Sequence, residues 1–393
     1  MPRPARGRAN CWSLPELIES PPFWLYIVGF ILLLGPLVTV HEFGHYLMGR
    51  LFGVGIEAFS VGFGKEVAGF TDKRGTRWKL SALPLGGYCQ FKGDMNPASI
   101  PDTAALEAMS RTERDGSFHH APLWQRALIV FAGPLTNVLV ALAIFTAFFL
   151  AYGKPVQADP AETNVVQAFA AGSVAQDAGI AAGDRILAID GRPMAEFRDV
   201  TERVLMHPGE PIVVTVERDG ERLRFPLTIG SAVEKDRFGN ESRIGRLGIY
   251  SSPIGFRPVG LAEAGQLAVE ESLDLTRMMV TGIGQILSGE RAVSELGGPI
   301  KIAKFSGEQL SLGPQAFVGF AALISLNLAF INLLPIPALD GGHLAFYAAE
   351  AVRRRPVGPR GQEWAFRAGV AMILALMLFV TVNDLLSLPI FGR

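Results

Sequence analysis

Four long apolar runs constrain this chain more than any other feature it carries. Residues 23–48, 123–152, 317–349 and 365–390 each contain a stretch near or above the roughly twenty residues that cross a bilayer as a helix. In hydrocarbon every backbone N–H and C=O must find its partner inside the protein, so spans of this length must be helical. The expected fold is an α-helical polytopic membrane protein with about four transmembrane helices. Arg3, Arg6 and Arg8 precede the first run and give it the look of a secretory leader. No A-x-A-like cleavage site follows, and cleavage would discard the polar residues at its far end, so it reads as a permanent span.

Those polar residues are Val40-His41-Glu42-Phe43-Gly44-His45. Four residues apart on a helix, His41 and His45 project from one face and can bind one metal ion, with Glu42 beside them to handle a proton: the H-E-x-x-H zinc arrangement. Ionisable groups at this depth are expensive unless they face a cavity or an ion, which marks them as functional candidates. The third run carries Asn327-Leu-Ala-Phe-Ile-Asn332-Leu-Leu-Pro335-Ile-Pro337-Ala-Leu339-Asp340-Gly341-Gly342-His343. Two prolines and two glycines should break this helix and turn its backbone toward a protein cavity. A lone Asp340 there needs a cation, and the economical partner is a zinc ion held by His41 and His45. Two histidines, one carboxylate and an open position for water make a hydrolytic zinc centre. His343, one turn further, is an alternative third ligand, and an Asp340 bonded to amides at a helix start would need no metal.

The remaining segments read more plainly. The loop after the first run carries Arg50, Lys65, Lys73, Arg74, Arg77, Lys79, Lys92, Arg111, Arg114 and Arg126, and the loop before the fourth carries Arg353, Arg354, Arg355 and Arg360. The positive-inside bias puts both in the cytoplasm and the termini outside with the long segment between the second and third runs, although the three N-terminal arginines argue the other way. Residues 58–65 and 77–88 alternate apolar and polar side chains between glycines, the pattern of a curved β-hairpin. Its edge, close to the motif, would suit an extended peptide added as a strand; a plain structural hairpin explains the pattern equally. The second run opens with Phe131-Ala-Gly133-Pro134-Leu-Thr-Asn137, where small residues permit close helix contact and an asparagine can bond across helices. His119 and His120, adjacent in sequence, point to different sides and read as a surface pair. Cys11 and Cys89 stand far apart without a C-x-x-C, which excludes a cysteine zinc site, and a net charge of −1 gives no hint of nucleic acid.

Composition divides the chain into an N-terminal tail (1–22), a first membrane half (23–152), a soluble α/β module (161–231), a linker with an amphipathic helix over 261–286 (232–314) and a second membrane half (315–393). In the module 164–169 and 183–191 read as strands, 197–206 as a helix, and 212–217 with 222–229 as a hairpin around Asp219-Gly220. The stretch Ala178-Gly-Ile-Ala-Ala-Gly-Asp-Arg-Ile-Leu-Ala-Ile-Asp-Gly191 resembles the circularly permuted PDZ domain of bacterial envelope proteases. That likeness implies an inserted α/β PDZ domain binding a peptide as an added strand; a spacer would need no ligand.

The combination of H-E-x-x-H, a Gly-Pro-rich second run, a PDZ-like module and Asn-x-x-Pro-x-Pro-x-Leu-Asp-Gly resembles the site-2 protease family of intramembrane zinc metalloproteases. Within it, the narrower likeness is to the bacterial regulators of sigma-E protease. Phe59-Ser-Val-Gly-Phe-Gly-Lys65, Pro84-Leu-Gly-Gly-Tyr88, Gly298-Pro-Ile-Lys-Ile-Ala-Lys304 and Val382-Asn-Asp384 are similar to family segments, so the resemblance spans most of the chain. It implies His41, His45 and Asp340 as ligands of Zn2+ and Glu42 as catalytic base. It implies that Asn332 holds substrate backbone, and that Gly62, Phe63, Gly64 and Lys65 belong to a membrane-associated β-hairpin that engages substrate. The implied substrate is a single-span membrane protein, an anti-sigma factor already trimmed on its outer side, with remnant signal peptides as a second class. The implied setting is the bacterial inner membrane, with the PDZ domain periplasmic and the site toward the cytoplasm. One departure is that enterobacterial relatives carry two tandem PDZ modules and this chain carries one.

Three other readings compete. A membrane scaffold with a structural zinc would make Glu42 dispensable. A zinc transporter explains buried His and Asp but not Glu42 or a peptide-binding module. A membrane-anchored soluble zincin would need its motif outside the bilayer.

Overall fold

The computed structural model describes residues 21–93, 114–157, 163–235, 241–251, 254–290, 297–355 and 357–387. The N-terminal tail with Arg3, Arg6, Arg8 and Cys11, Arg111 of the basic loop, and the end of the fourth apolar run at 388–390 lie outside them. Contacts divide the chain into an inserted unit, Lys154–Arg257, and a helical unit made of Pro21–Gly153 and Pro258–Arg393.

Helix α1 (Phe23–Leu51) carries the H-E-x-x-H motif in its last third. Strands β1 (Ile56–Thr71) and β2 (Arg77–Phe91) follow, paired antiparallel with repeated register shifts. Residues 58–61 of β1 are flanked on both sides by β2, by 77–80 on one side and 87–90 on the other. The pair therefore folds back on itself and leaves the segment 87–91 as an outer edge. Both strands run longer than their alternating patterns suggest, because pairing continues from Glu66 to Thr71 against Ser81 to Arg77. Helix α2 (Leu123–Tyr152) packs against α1, with contact so close at Gly44 that a Cβ would meet the Ala132 carbonyl and the Thr136 hydroxyl.

The inserted unit opens with β3 (Lys154–Gln157), β4 (Ala168–Phe169) and the short α3 (Val174–Asp177), then β5 (Arg185–Ile189), β6 (Arg192–Pro193) and α4 (Phe197–Leu205). It continues with β7 (Pro211–Arg218), β8 (Glu221–Thr228), β9 (Gly230–Lys235), β10 (Glu241–Arg246), β11 (Ile249–Tyr250) and β12 (Ile254–Arg257). The largest sheet has the order β6-β5-β7-β8. Its β7–β8 turn uses Asp219 and Gly220 at φ 51° and 83°, the two positive values that a type I′ hairpin requires. The expected strand over 164–169 shrinks to β4, with Val165 reaching Arg185 only as an isolated bridge. Val166, Ile186, Ile189, Val200, Val214 and Val216 lie at the centre of a core that belongs to this unit alone.

Helices α5 (Leu261–Ser288), α6 (Pro299–Ser311), α7 (Pro314–Leu333), α8 (Asp340–Arg353) and α9 (Pro359–Ser387) complete the helical unit. Among the described residues four helices are long and apolar enough to cross a membrane: Phe23–Leu51, Leu123–Tyr152, Pro314–Leu333 and Arg360–Leu385. The third apolar run, expected over 317–349, is thus two helices rather than one span. Pro335 and Pro337 offer no N–H to continue α7, and the chain turns through a Leu339 N–H to Ile336 carbonyl bond of 3.0 Å before α8 begins at Asp340. The two segments Gly298–Lys304 and Val382–Asp384 meet: buried Asp384 of α9 accepts the N–H groups of Gly298 (3.2 Å) and Lys301 (3.0 Å), capping α6 from another helix.

Candidate metal centre

The centre is built from three helices whose local sequence explains their aim. On α1 the four-residue spacing brings the imidazoles together edge to face, with their Nε2 atoms 3.2 Å apart. On α8 the first residue, Asp340, is turned to face them by the broken backbone before it, where Ala338 holds φ 84°, a left-handed value rare for a residue with a Cβ. Gly341 and Gly342 let that turn lie flat against α8, since a Cβ on either would meet the carbonyls of Leu333, Leu334 and Ile336. Asp340 Oδ2 lies 3.1 Å from His41 Nε2 and 3.5 Å from His45 Nε2. The ligand-type atoms of His41, His45 and Asp340 all lie within 4.8 Å of one another, the only such group of three among the described residues.

These separations fit a zinc ion. Bonds of about 2.05 Å in a tetrahedron put neighbouring ligand atoms about 3.3 Å apart, against the 3.1, 3.2 and 3.5 Å observed. Asp340 Oδ2 is buried and has no hydrogen-bond partner, so a lone pair is left pointing at the two nitrogens. His45 Nδ1 faces the Ile129 carbonyl at 2.8 Å and must carry the proton there, which leaves its Nε2 free to coordinate. The donor set, two imidazoles and a carboxylate, is that of a catalytic zinc site with a position open.

Helix α2 supplies the wall behind the imidazoles. Gly133 clears their space: a Cβ there would lie 2.8 Å from His41 Nε2 and closer still to His45 Nε2. Pro134 lacks the N–H that would bond the Val130 carbonyl, and the Ile129 carbonyl one residue earlier serves His45. Asn137, fully buried, faces His41 Nδ1 at 3.3 Å. Residues 129, 133 and 137 form one stripe with a spacing of four, a signal present in the sequence but masked by the apolar residues around it.

Glu42 sits on the other side of the imidazoles. Its Oε2 accepts the Cys89 backbone N–H at 3.1 Å, which ties the carboxylate to the outer edge of β2. His41, Glu42, His45 and Asp340 all open on a cavity of about 780 Å³ that also meets Phe63, Cys89, Asn137, Asn332, His343 and Tyr347. Asn332 and Phe63 thus share the cavity with the metal group. Gly62, Gly64 and Lys65 do not line it; Gly62 and Gly64, at φ 88° and 90°, bend β1 on either side of Phe63. His343 lines the cavity but stands outside the three-residue ligand group, and His119 and His120 lie apart in a 3₁₀ turn, Phe118–His120.

Residues 29–376 match the profile of the family described as Peptidase family M50. A protein of Agrobacterium fabrum, provisionally named a zinc metalloprotease, is 46% identical over 367 residues, which cover 92% of this chain and 96% of that protein. A second, from Rhizobium meliloti and named in the same way, is 45% identical over 91% of this chain and 95% of its own length. The Caulobacter vibrioides metalloprotease MmpA is 37% identical over 94% of this chain and 97% of its own. With a profile match that runs from the first span into the fourth and a metal-type triad inside it, the chain belongs to peptidase family M50, the site-2 protease family of zinc metalloproteases.

Proposed function

We propose that this protease hydrolyses a peptide bond within or next to the transmembrane segment of a single-span membrane protein, using His41, His45 and Asp340 as zinc ligands and Glu42 as general base. The observation that carries the reading is the convergence of the triad, Glu42 and a β edge on one cavity between apolar helices. When bound, zinc lowers the pKa of a water molecule and polarises the scissile carbonyl. Glu42, held by the Cys89 amide, takes the proton of the attacking water and returns it to the leaving amine. A transmembrane helix hides its carbonyls in its own hydrogen bonds, so the substrate must be unwound and held extended at the site. The outer edge at 87–91 supports strand addition for that step, with Asn332, which lines the same cavity, holding substrate backbone. Cys89 and its alternate neighbours Gly87 and Phe91 present backbone groups outward from β1, and the Cys89 N–H already serves Glu42, so an added strand would pair through the remaining groups.

The substrate class is an anti-sigma factor-like protein trimmed on its outer side, in regulated intramembrane proteolysis of an envelope stress response, with remnant signal peptides as a second class. The inserted unit acts as a PDZ-type peptide binder; a groove of about 300 Å³ lined by Val200, Val204, Leu247 and Ile249 supports this. The basic loops after α1 and α8 support placement in a bacterial inner membrane with that unit periplasmic and the zinc site toward the cytoplasm. The test is cleavage of a single-span substrate in detergent by wild type and Glu42→Gln, with zinc measured on both. Equal zinc with turnover reduced at least about 10³-fold in the variant is expected; undiminished cleavage by Glu42→Gln refutes the assignment.

A further inference from the structure

We infer that Asn137 is a positioning residue for the metal site: its amide oxygen accepts the Nδ1–H of His41 and so fixes the imidazole that coordinates through Nε2. The inference rests on the zinc reading given above and goes beyond it to a residue that is not itself a metal ligand. Its starting point is an asymmetry between the two histidines. His45 Nδ1 faces a backbone carbonyl, Ile129, at 2.8 Å, which can only accept, so its tautomer is settled. His41 Nδ1 faces the side-chain amide of Asn137 at 3.3 Å, and an amide can either donate or accept at that place.

The two amide orientations have the same shape. With Nδ2 toward His41, the imidazole must accept at Nδ1 and carry its proton on Nε2, where it points at Asp340; Asn137 Oδ1 is then buried with no partner. With Oδ1 toward His41, the proton sits on Nδ1 and Nε2 offers a lone pair. The first orientation leaves Oδ1 buried and unpaired, so hydrogen bonding within the protein does not single it out. A metal ion selects the second, because it needs the lone pair at Nε2. Asn137 is fully buried, and its main-chain carbonyl, not its amide, accepts the Ser325 hydroxyl of helix α7 at 2.8 Å. Residues 129 and 137 of one helix thus serve the outer nitrogens of His45 and His41 in turn, and Gly133 between them leaves room for both rings.

The experiment uses the full chain purified in detergent as wild type, Asn137→Leu, Asn137→Ala, Asn137→Asp, Ser325→Ala and His41→Ala. Zinc retention is titrated against a competing chelator, and the visible spectrum of the cobalt-substituted protein is recorded for each. The Leu and Ala variants are expected to give up zinc about 10–100-fold more readily, with altered cobalt bands. The Asp variant, which can only accept, should stay within about threefold of wild type, and Ser325→Ala, which alters the same helix contact without touching the amide, should match wild type. If the Leu variant is not monodisperse, the decision rests on Ala and Asp, which keep the Ser325 bond. Wild-type retention by Ala, or a loss in Asp as large as in Ala, overturns the inference while the zinc site stands. Zinc held equally by wild type and His41→Ala would overturn the site and this inference with it.

Discussion

Replacing Gly133 by alanine should separate folding from catalysis. The added Cβ would lie 2.8 Å from His41 Nε2, 0.6 Å inside the 3.4 Å at which ordinary contact begins, and nearer still to His45 Nε2. Those are the atoms that would hold the metal, so the methyl group must either displace the imidazoles or push α2 away from them. A misplacement approaching 1 Å at a reacting centre lowers the rate about 10²-fold, equivalent to about 2.7 kcal/mol of transition-state stabilisation. Backbone propensity acts in the other direction, since alanine is favoured over glycine inside a helix by roughly 0.5–1 kcal/mol. Overpacking strain of roughly 1–3 kcal/mol exceeds or cancels that gain, so net stability should fall by no more than about 2.5 kcal/mol while the site is spoiled. The assay is zinc content, thermal unfolding and cleavage of a single-span substrate, with Gly284→Ala as control; no atom lies within 4 Å of a Cβ placed there. Cleavage by Gly133→Ala within about threefold of wild type, with full zinc, would refute the reasoning from close approach.

Other perturbations probe the supports of the site. Arg126 on α2 binds Glu350 on α8 at 2.9 Å, with both side chains largely buried and the guanidinium over the Tyr347 ring. Arg126→Met should lower stability by about 3 kcal/mol and loosen zinc through the helix that bears Asp340, and adding Glu350→Gln should recover part of the loss in thermal melts and chelator titrations. In the inserted unit, burial alone would raise the Asp184 carboxyl, but hydrogen bonds from Arg218 and the Ala181 amide outweigh it and hold the group below the usual carboxylate range. A depressed carboxyl contributes stability that is complete above its unfolded pKa of about 3.9 and is lost as pH falls through the lower folded value. The protection of the β5 amides against hydrogen exchange, taken relative to the intrinsic rate at each pH, should therefore fall below about pH 4 in wild type, and Asp184→Asn should show lower protection at neutral pH with a flatter acid response.

What the sequence discloses depends on how local each determinant is. The pairing of His41 with His45 is a property of one helix turn, and Asp340 betrays itself as a lone carboxylate after two prolines in apolar sequence. The Asp219-Gly220 hairpin is equally local, because its turn type demands residues that tolerate positive φ. The length of the third span is less visible, because apolar composition continues through the break at 334–339 and on into α8. Hidden altogether are contacts made by backbone atoms. The Ile129 carbonyl that orients His45 and the Cys89 amide that holds Glu42 leave no mark on residue identity, and the second joins positions 47 residues apart. Gly133 and Asn137 do leave a mark, but small and polar residues in an apolar helix are already explained by helix packing, so the pattern gains its second meaning only when the histidines are seen against it.

The layout of the chain also makes the catalytic half separable from the inserted unit. Lys154 on β3 stands opposite Arg257 on β12, so the chain enters and leaves the unit at one place. Antiparallel partners are about 5 Å apart, a gap that a linker of about four residues crosses with ease. The unit has its own core, and every group of the candidate metal centre, from Glu42 to Asp340, lies outside residues 154–257. Replacing residues 155–256 by a short Gly-Ser linker should therefore leave zinc stoichiometry and resistance to chelators unchanged. Loss of zinc on excision would show that the inserted unit contributes structure to the centre, against the separation of cores. If zinc is kept, cleavage assigns the unit its role. A truncated chain that cuts a substrate with a bulky outer domain, which the full chain spares, makes the unit a filter; equal cleavage of bulky and trimmed substrates by both chains makes it a spacer.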